Sequence, residues 1–92
     1  MKQESAETIA LQALAFLISE EDLRDVFMGA SGVSAEDLRS RAGEPEFLIS
    51  VLDFLMMDDA WVIRFCDGHG LDYTVTQMAR QALPGGAQVH WT

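Results

Sequence analysis

Residues 47–57 read FLISVLDFLMM, and this stretch decides the fold. Wound as an α-helix, it carries apolar side chains around most of its circumference. Only Glu46, Ser50 and Asp53 interrupt them, at spacings of four and three. A helix that is apolar on most sides is buried on most sides. We therefore expect this helix either to lie at the centre of a helical protein or to present one face to another subunit.

A helix of the same character precedes it. Residues 9–18 are apolar except for Gln12, which forms a narrow polar stripe with Thr8 and Ser19. We expect this helix to pack against the helix at 46–57, since both have more apolar surface than a solvated helix can expose.

The chain matches itself when it is shifted by 38 residues. The coincident pairs are Leu14 with Leu52, Phe16 with Phe54, Leu17 with Leu55, Glu20-Glu21 with Asp58-Asp59, Phe27 with Phe65, and Gly32 with Gly70. Such agreement across residue classes is expected of a duplicated supersecondary unit, although any two helical stretches share some of these features. We predict two pseudo-symmetric three-helix halves, residues 9–42 and 47–80, related by a pseudo-twofold axis. We expect Leu14, Phe16, Leu52 and Phe54 to be buried as anchors of the core, with Phe16 equivalent to Phe54 and Phe27 equivalent to Phe65.

Start and stop signals predict six helices, near residues 6–18, 20–29, 35–42, 46–57, 59–67 and 73–83. Ser5, Ser19 and Ser34 are the expected caps of the first three helices, and Asp58 or Asp59 is the expected cap of the fifth. Gly68 and Gly70 are expected to end the fifth helix. No long stretch alternates as a strand does. The predicted fold is all-α, a bundle of about six helices in one domain over residues 1–86, followed by a short tail at 87–92.

The charge and cysteine content of the chain disfavour some partners and some cellular compartments. Six basic and 15 acidic residues among 92 give a formal charge of −9, which repels nucleic acid and anionic lipid. The single cysteine, Cys66, excludes an intramolecular disulfide and suits a reducing compartment. The first residues lack the features of a signal peptide. We expect a cytoplasmic protein.

One turn contains the side chains that are the strongest candidates for catalysis or metal binding. Cys66, Asp67, His69 and Asp72 lie close together in sequence. A cysteine–histidine pair needs a third orienting group and an oxyanion site, and the sequence shows neither. A calcium loop needs a glutamate at its twelfth position, which is His69 when the count starts at Asp58. We predict no catalytic, metal or cofactor residue.

Two glycine turns resemble the turn of a helix-turn-helix motif. Arg39 and Arg41 would read DNA after the first turn, and Gln77 and Arg80 after the second. Acidic residues flank both turns, however, and phosphate contacts normally supply much of the affinity for DNA. We therefore disfavour DNA binding.

Several short motifs resemble those of a known family. They are ALAFL at 13–17, GVS at 32–34 with DLR at 37–39, FL at 47–48 with VLDFLM at 51–56, and GLD at 70–72. The chain resembles, over about residues 6–85, an uncharacterised family of short, acidic, all-helical bacterial proteins. The resemblance implies a helical fold and a bacterial cytoplasm, but it implies no activity and no catalytic residue.

These observations favour a non-enzymatic helical module that binds an unidentified protein or a second copy of itself. Its candidate surface contains Met56, Met57 and Trp61, because methionine adapts to partners and tryptophan is enriched at binding hot spots. Ordinary core packing is the alternative for all three. The alternative function is a small-ligand binder or an enzyme with a pocket between the two halves.

The tail supplies one further candidate, Trp91. In an extended segment Val89 and Trp91 share a face, on either side of His90. Burying the tryptophan removes up to about 200 Å² from water, roughly 5 kcal/mol. Ordering the tail costs about 1–2 kcal/mol per residue. We expect the tail to dock on its own body or on a second copy.

Overall fold

Six α-helices make up most of residues 1–85, the part of the chain that the computed structural model describes. They are α1 (Gln3–Ser19), α2 (Glu21–Ser31), α3 (Ala35–Arg41), α4 (Pro45–Leu55), α5 (Asp59–His69) and α6 (Val75–Ala82). No strand occurs within these residues. The predicted all-α fold is confirmed, and every helix bound lies within three residues of its predicted position.

The helices α1 and α4 lie side by side at the centre. α1 packs against α2, α4 and α6, and α6 also packs against α4. α4 buries Phe47, Leu48, Val51, Leu52, Phe54 and Leu55, and α1 buries Ala6, Ile9, Ala10, Ala13, Leu14 and Leu17. The alanines let neighbouring helices come close to α1. Within residues 1–85, no helix has the length and apolar character needed to cross a membrane.

Two of the helix starts follow the expected side-chain chemistry. The Ser34 hydroxyl accepts a hydrogen bond from the Asp37 N–H, and the Asp37 carboxylate accepts one from the Ser34 N–H. This reciprocal capping box fixes the start of α3. The Asp58 carboxylate accepts from the Ala60 N–H at 2.9 Å, so α5 also begins at a side-chain cap.

The two other predicted serine caps are wrong. α1 begins at Gln3, so Ser5 lies inside the helix. The Ser19 hydroxyl instead donates to the carbonyl of Phe16 at 2.9 Å. Glu20 therefore takes the N-cap position of α2, without a side-chain hydrogen bond to the helix.

Glycines end α2 and α5 in the left-handed conformation. Gly32 has φ +71° and Gly70 has φ +65°, values that side chains other than glycine rarely adopt. Of the two glycines predicted to end α5, Gly70 does so, whereas Gly68 lies inside the helix, which continues through His69. A single glycine within a helix costs only about 1 kcal/mol, which neighbouring contacts can offset.

The two predicted halves correspond in chain order. A shift of 38 residues places α2 on α5 residue for residue, and each of these helices ends at a left-handed glycine. Ser34 corresponds to Asp72, whose carboxylate accepts from the Thr74 N–H at 3.0 Å. The packing is not symmetric, because α6 packs against α1 whereas α3 makes little contact with α4. Duplication therefore stays a prediction.

The core contains three of the four side chains predicted to be its anchors: Leu14, Leu52 and Phe54. Phe16, the repeat counterpart of Phe54, is only partly buried, and its predicted core position is a correction. Phe16 lies one helical turn after Gln12, so both side chains are on the face of α1 that is only partly buried. Its ring lies 5.6 Å from that of Phe65, and the Arg64 guanidinium lies over it at 5.9 Å.

Candidate functional site

A groove of about 450 Å³ opens between α2 and α4, beside the end of α3. It is lined by Phe27, Ala30, Ser31, Arg41, Phe47, Ser50, Asp53, Phe54 and Met57. The first four belong to the predicted first half of the chain and the others to the second. The structure therefore places a cavity between the two halves, where the sequence predicted one only as an alternative.

Three phenylalanine rings form the floor of the groove. The Phe27 and Phe54 rings meet edge to face with centroids 5.2 Å apart, and Phe47 lies 6.4 Å from Phe27. All three are buried, so only a small part of each ring is exposed. Such tilted ring pairs contribute about 0.5–1.5 kcal/mol beyond the area they bury. The floor is therefore fixed before anything binds to it.

Polar side chains at the rim of the groove already have partners. The Arg41 guanidinium lies over the Phe47 ring at 5.2 Å and pairs with Glu44 at 3.6 Å. Asp53 pairs with Arg80, which ties α4 to α6. These contacts hold the rim groups in place and leave the apolar floor as the part of the groove without a partner.

The predicted surface residues occupy three different environments. Met57 is 75% exposed at the edge of the groove. Trp61 is partly buried and stacks on Phe54 with centroids 5.2 Å apart, which supports the floor from below. Met56 is partly buried against the core. Trp91 lies outside the described residues.

The sequence did not identify the rest of this groove. Phe27 and Phe54 are predicted core residues, and both are buried, as is Phe47. The missed signal is in α3, where only Leu38 among residues 36–41 is apolar. A helix with so narrow an apolar face cannot cover the surface beside it.

The candidate cysteine and histidine do not contact each other through a hydrogen bond. The Cys66 thiol donates to the Asp72 carbonyl at 3.5 Å, and His69 Nδ1–H donates to the Phe65 carbonyl at 2.9 Å. Burial raises the pKa of the Cys66 thiol, and the negative charges of Asp67 and Asp72 raise it further. This environment favours the protonated thiol, which is the poor nucleophile.

The acidic residues of this turn serve local structure. Asp67 accepts a hydrogen bond from the Tyr73 hydroxyl at 2.7 Å, which raises the pKa of Tyr73. Asp72 accepts from both the N–H and the hydroxyl of Thr74, which lowers the pKa of Asp72. Within residues 1–85, no three His, Cys, Asp or Glu side chains are grouped so that they could hold a metal ion.

The four candidate DNA-reading residues do not form one basic surface. Arg41 and Arg80 are paired with carboxylates, as described above. Arg39 and Gln77 are exposed on α3 and α6, helices that have no close mutual packing. Nothing in this geometry adds to the sequence argument for DNA binding.

The chain is similar to a known protein family over nearly all of its described residues. A family model described as "Protein of unknown function (DUF3572)" matches residues 3–86. The chain belongs to this family. The DUF3572 match begins with the first residue of α1 and extends past the end of α6, so the groove and all six helices lie within it.

The DUF3572 assignment confirms the resemblance seen in the sequence motifs, and its description names no activity. No curated protein matches the chain. No solved structure matches it either. The functional argument therefore depends on the groove and on the charge around it.

Proposed function

We propose that this chain is a non-enzymatic, cytoplasmic protein-interaction module whose binding site is the groove between α2 and α4. The observation that carries the proposal is a groove floored by three largely buried phenylalanine rings, with Met57 75% exposed beside it. An apolar recess edged by a flexible thioether suits a partner side chain, because methionine adapts its shape to what it contacts.

The size of the groove supports one large apolar anchor. Its volume of about 450 Å³ lies within the range of about 300–1,000 Å³ typical of ligand pockets. A leucine, phenylalanine or tryptophan of a partner can lie across the ring edges of Phe27 and Phe54. Because the floor is already ordered, binding loses little further side-chain entropy on this side of the interface.

The charge around the groove favours a basic partner. Asp53 lines the groove together with Arg41, and Glu44 and Glu46 lie at the start of the same helix, so carboxylates outnumber cations near the groove. The chain as a whole carries a formal charge of −9. A basic segment is steered toward such a surface, whereas a second copy of the chain is repelled by it. The partner we propose is a basic amphipathic segment that places one large apolar side chain in the groove.

A designed peptide tests this proposal. The probe is an 18-residue Leu/Lys amphipathic peptide, and its control replaces every leucine with serine at the same charge. We expect the Leu/Lys peptide to bind the full chain and to shift the NMR amide signals of Ala30, Ser31 and Ser50. The serine control should bind at least tenfold more weakly, since it carries no apolar anchor.

Two variants separate the groove from general attraction between charges. Ala30→Trp should fill the groove and weaken the Leu/Lys peptide by at least tenfold. Ala60→Trp makes the same change at an exposed site on α5 and should leave binding unchanged. Equal binding by both variants, or equal binding of both peptides, would contradict the proposal.

A small apolar ligand is the second candidate for the same groove. It is favoured by the convergence of Ser31, Ser50 and the Arg41 guanidinium around an apolar floor, the combination common in small-molecule sites. The test uses decanoate in place of the peptide. Shifts of the groove signals with decanoate and none with the Leu/Lys peptide would support this alternative over the interaction module.

A further inference from the structure

We propose that residues 86–92 of this chain bind in the groove between α2 and α4, with Trp91 as the side chain that fills it. This inference rests on the proposed function, because it names a ligand for the same site. A partner would then have to displace this segment before it could bind.

The position of the segment's start supports this occupant. After α6 the described chain reaches Gly85, where an added Cβ would lie 4.0 Å from Cδ1 of Ile49. Ile49 directly precedes Ser50, which lines the groove. Gly85, the last described residue, therefore lies against α4, beside a residue that directly precedes the groove-lining Ser50.

The length of the segment is sufficient. Trp91 is six residues beyond Gly85, so an extended chain places it up to about 20 Å away. An α-helix with its side chains is only about 10–12 Å across. The tryptophan can thus pass around α4 and reach the ring edges of Phe54 and Phe27.

The charge of the segment is compatible with the acidic rim. Every acidic residue of the chain lies at or before Asp72, so residues 86–92 contain no carboxylate side chain. A second copy of the whole chain would bring another charge of −9 toward the groove. The tethered segment avoids that repulsion, and a short tether gives an effective concentration in the millimolar range. The chain's own segment is therefore favoured over a second copy.

The side chains of the segment match the groove chemically. Val89 and Trp91 share one face of an extended segment, while Gln88 and His90 point to the other. An indole ring can pack against the edges of Phe27 and Phe54 in the tilted geometry that aromatic pairs prefer. Gln88 can be changed without loss of this contact, which provides a matched control.

The test compares the full-length protein with Trp91→Ala and Gln88→Ala variants by NMR. We expect Trp91→Ala to shift the amide signals of Ala30, Ser31 and Ser50, and we expect Gln88→Ala to leave them in place. In the wild type the Trp91 ring protons should show NOEs to the Phe54 ring. Groove signals that are the same in Trp91→Ala as in the wild type would overturn the inference, as would groove shifts that vary with protein concentration.

Titration with the Leu/Lys peptide separates the two proposals. Trp91→Ala should bind the peptide at least twofold more tightly than the wild type, because an occupied site lowers apparent affinity by the fraction that is free. Equal groove binding of the peptide by both proteins, with no groove shift on Trp91→Ala, removes the inference and leaves the proposed function. If Trp91→Ala shifts the groove signals but neither protein binds the peptide, the proposed function is removed and the inference remains.

Discussion

The last helix of the first half is exposed, whereas the last helix of the second half is packed into the core. α3 has no buried residue, although Leu38 lies partly against the core. α6 buries Thr76 and Ala79 and packs against both central helices. The two helices follow similar turns and similar caps. Local signals therefore place a helix in the chain, but they do not determine what it covers.

The difference has a cause in the side chains of the two helices. In and just after α6, Val75, Ala79, Ala82 and Leu83 follow one another at spacings of four, three and one, which forms an apolar face. In α3, charged residues occupy positions 36, 37, 39 and 41. Burying those charges without partners would cost several kcal/mol each, so α3 stays at the surface.

The groove exists where this asymmetry leaves α4 uncovered. α6 packs against α1 and α4, whereas the groove beside α3 has a floor formed by the largely buried rings of Phe27, Phe47 and Phe54. A symmetric arrangement of α3 would have closed this surface. We therefore expect binding in the groove beside the helix that packs less tightly.

The largest expected effect is on stability, in a comparison of alanine substitutions at the repeat counterparts Phe54 and Phe16. Phe54→Ala should lower the free energy of unfolding by about 3–5 kcal/mol, since it removes a side chain that is only 7% exposed and leaves a cavity. Phe16→Ala should lower it by about 1–2 kcal/mol, because Phe16 is only partly buried. Urea titration measures both. Equal losses would show that the two positions are equivalent after all.

The next effect compares how tightly α6 and α3 are each packed against the rest of the protein. Ala79→Leu should cost about 1–3 kcal/mol of stability, since Ala79 is fully buried and the added atoms have no space. Ala35→Leu makes the same change at an exposed position of α3 and should alter stability by less than about 0.5 kcal/mol. Thermal unfolding of the two variants checks this, and a loss of the same size at Ala35 would contradict the description of α3 as exposed.

The smallest effect compares, across pH, Ser34, which caps α3, with its repeat counterpart Asp72 in the turn before α6. Ser34→Ala should cost about 1 kcal/mol with little dependence on pH, because a hydroxyl cap does not titrate. The pKa of Asp72 is lowered from its ordinary value of 3.8 by hydrogen bonds from Thr74. Its stabilising contribution is therefore complete above pH 3.8 and is lost as the pH falls through the lower folded-state pKa.

The measurement is urea unfolding of the wild type and Asp72→Asn between pH 2 and 6. The difference in stability between them should be constant in the upper part of this range and should shrink below about pH 3.8. A difference that grows as the pH falls would contradict the assigned hydrogen bonds.

Much of the fold could be predicted because its signals are local. Glycine turns, the Ser34 capping box and the apolar stretch at 47–57 each determine structure within a few residues. The errors also arose locally. Ser19 had an alternative acceptor in the Phe16 carbonyl, and α5 extended past Gly68 because Gly70 supplied the left-handed turn.

The groove could be predicted only in outline. Met57, one of the residues predicted for an interaction surface, lines the groove, but Phe27 and Phe47 carry no sequence signal that separates a groove floor from ordinary core. That distinction depends on which helix covers α4, a long-range property of packing. The pairing of Asp53 with Arg80 is of the same kind, since 27 residues separate them.

The most direct test of the account locates a bound segment on the molecule. A nitroxide attached to the end of the Leu/Lys peptide broadens the NMR signals of nearby amides in the full-length protein. The account predicts the strongest broadening at Ala30, Ser31 and Ser50 around the groove, and little at Gln77 and Gln81 on the exposed side of α6. Broadening that is strongest on α6, or equal over the acidic surface, would contradict the claim that the groove left open by α3 is the binding site.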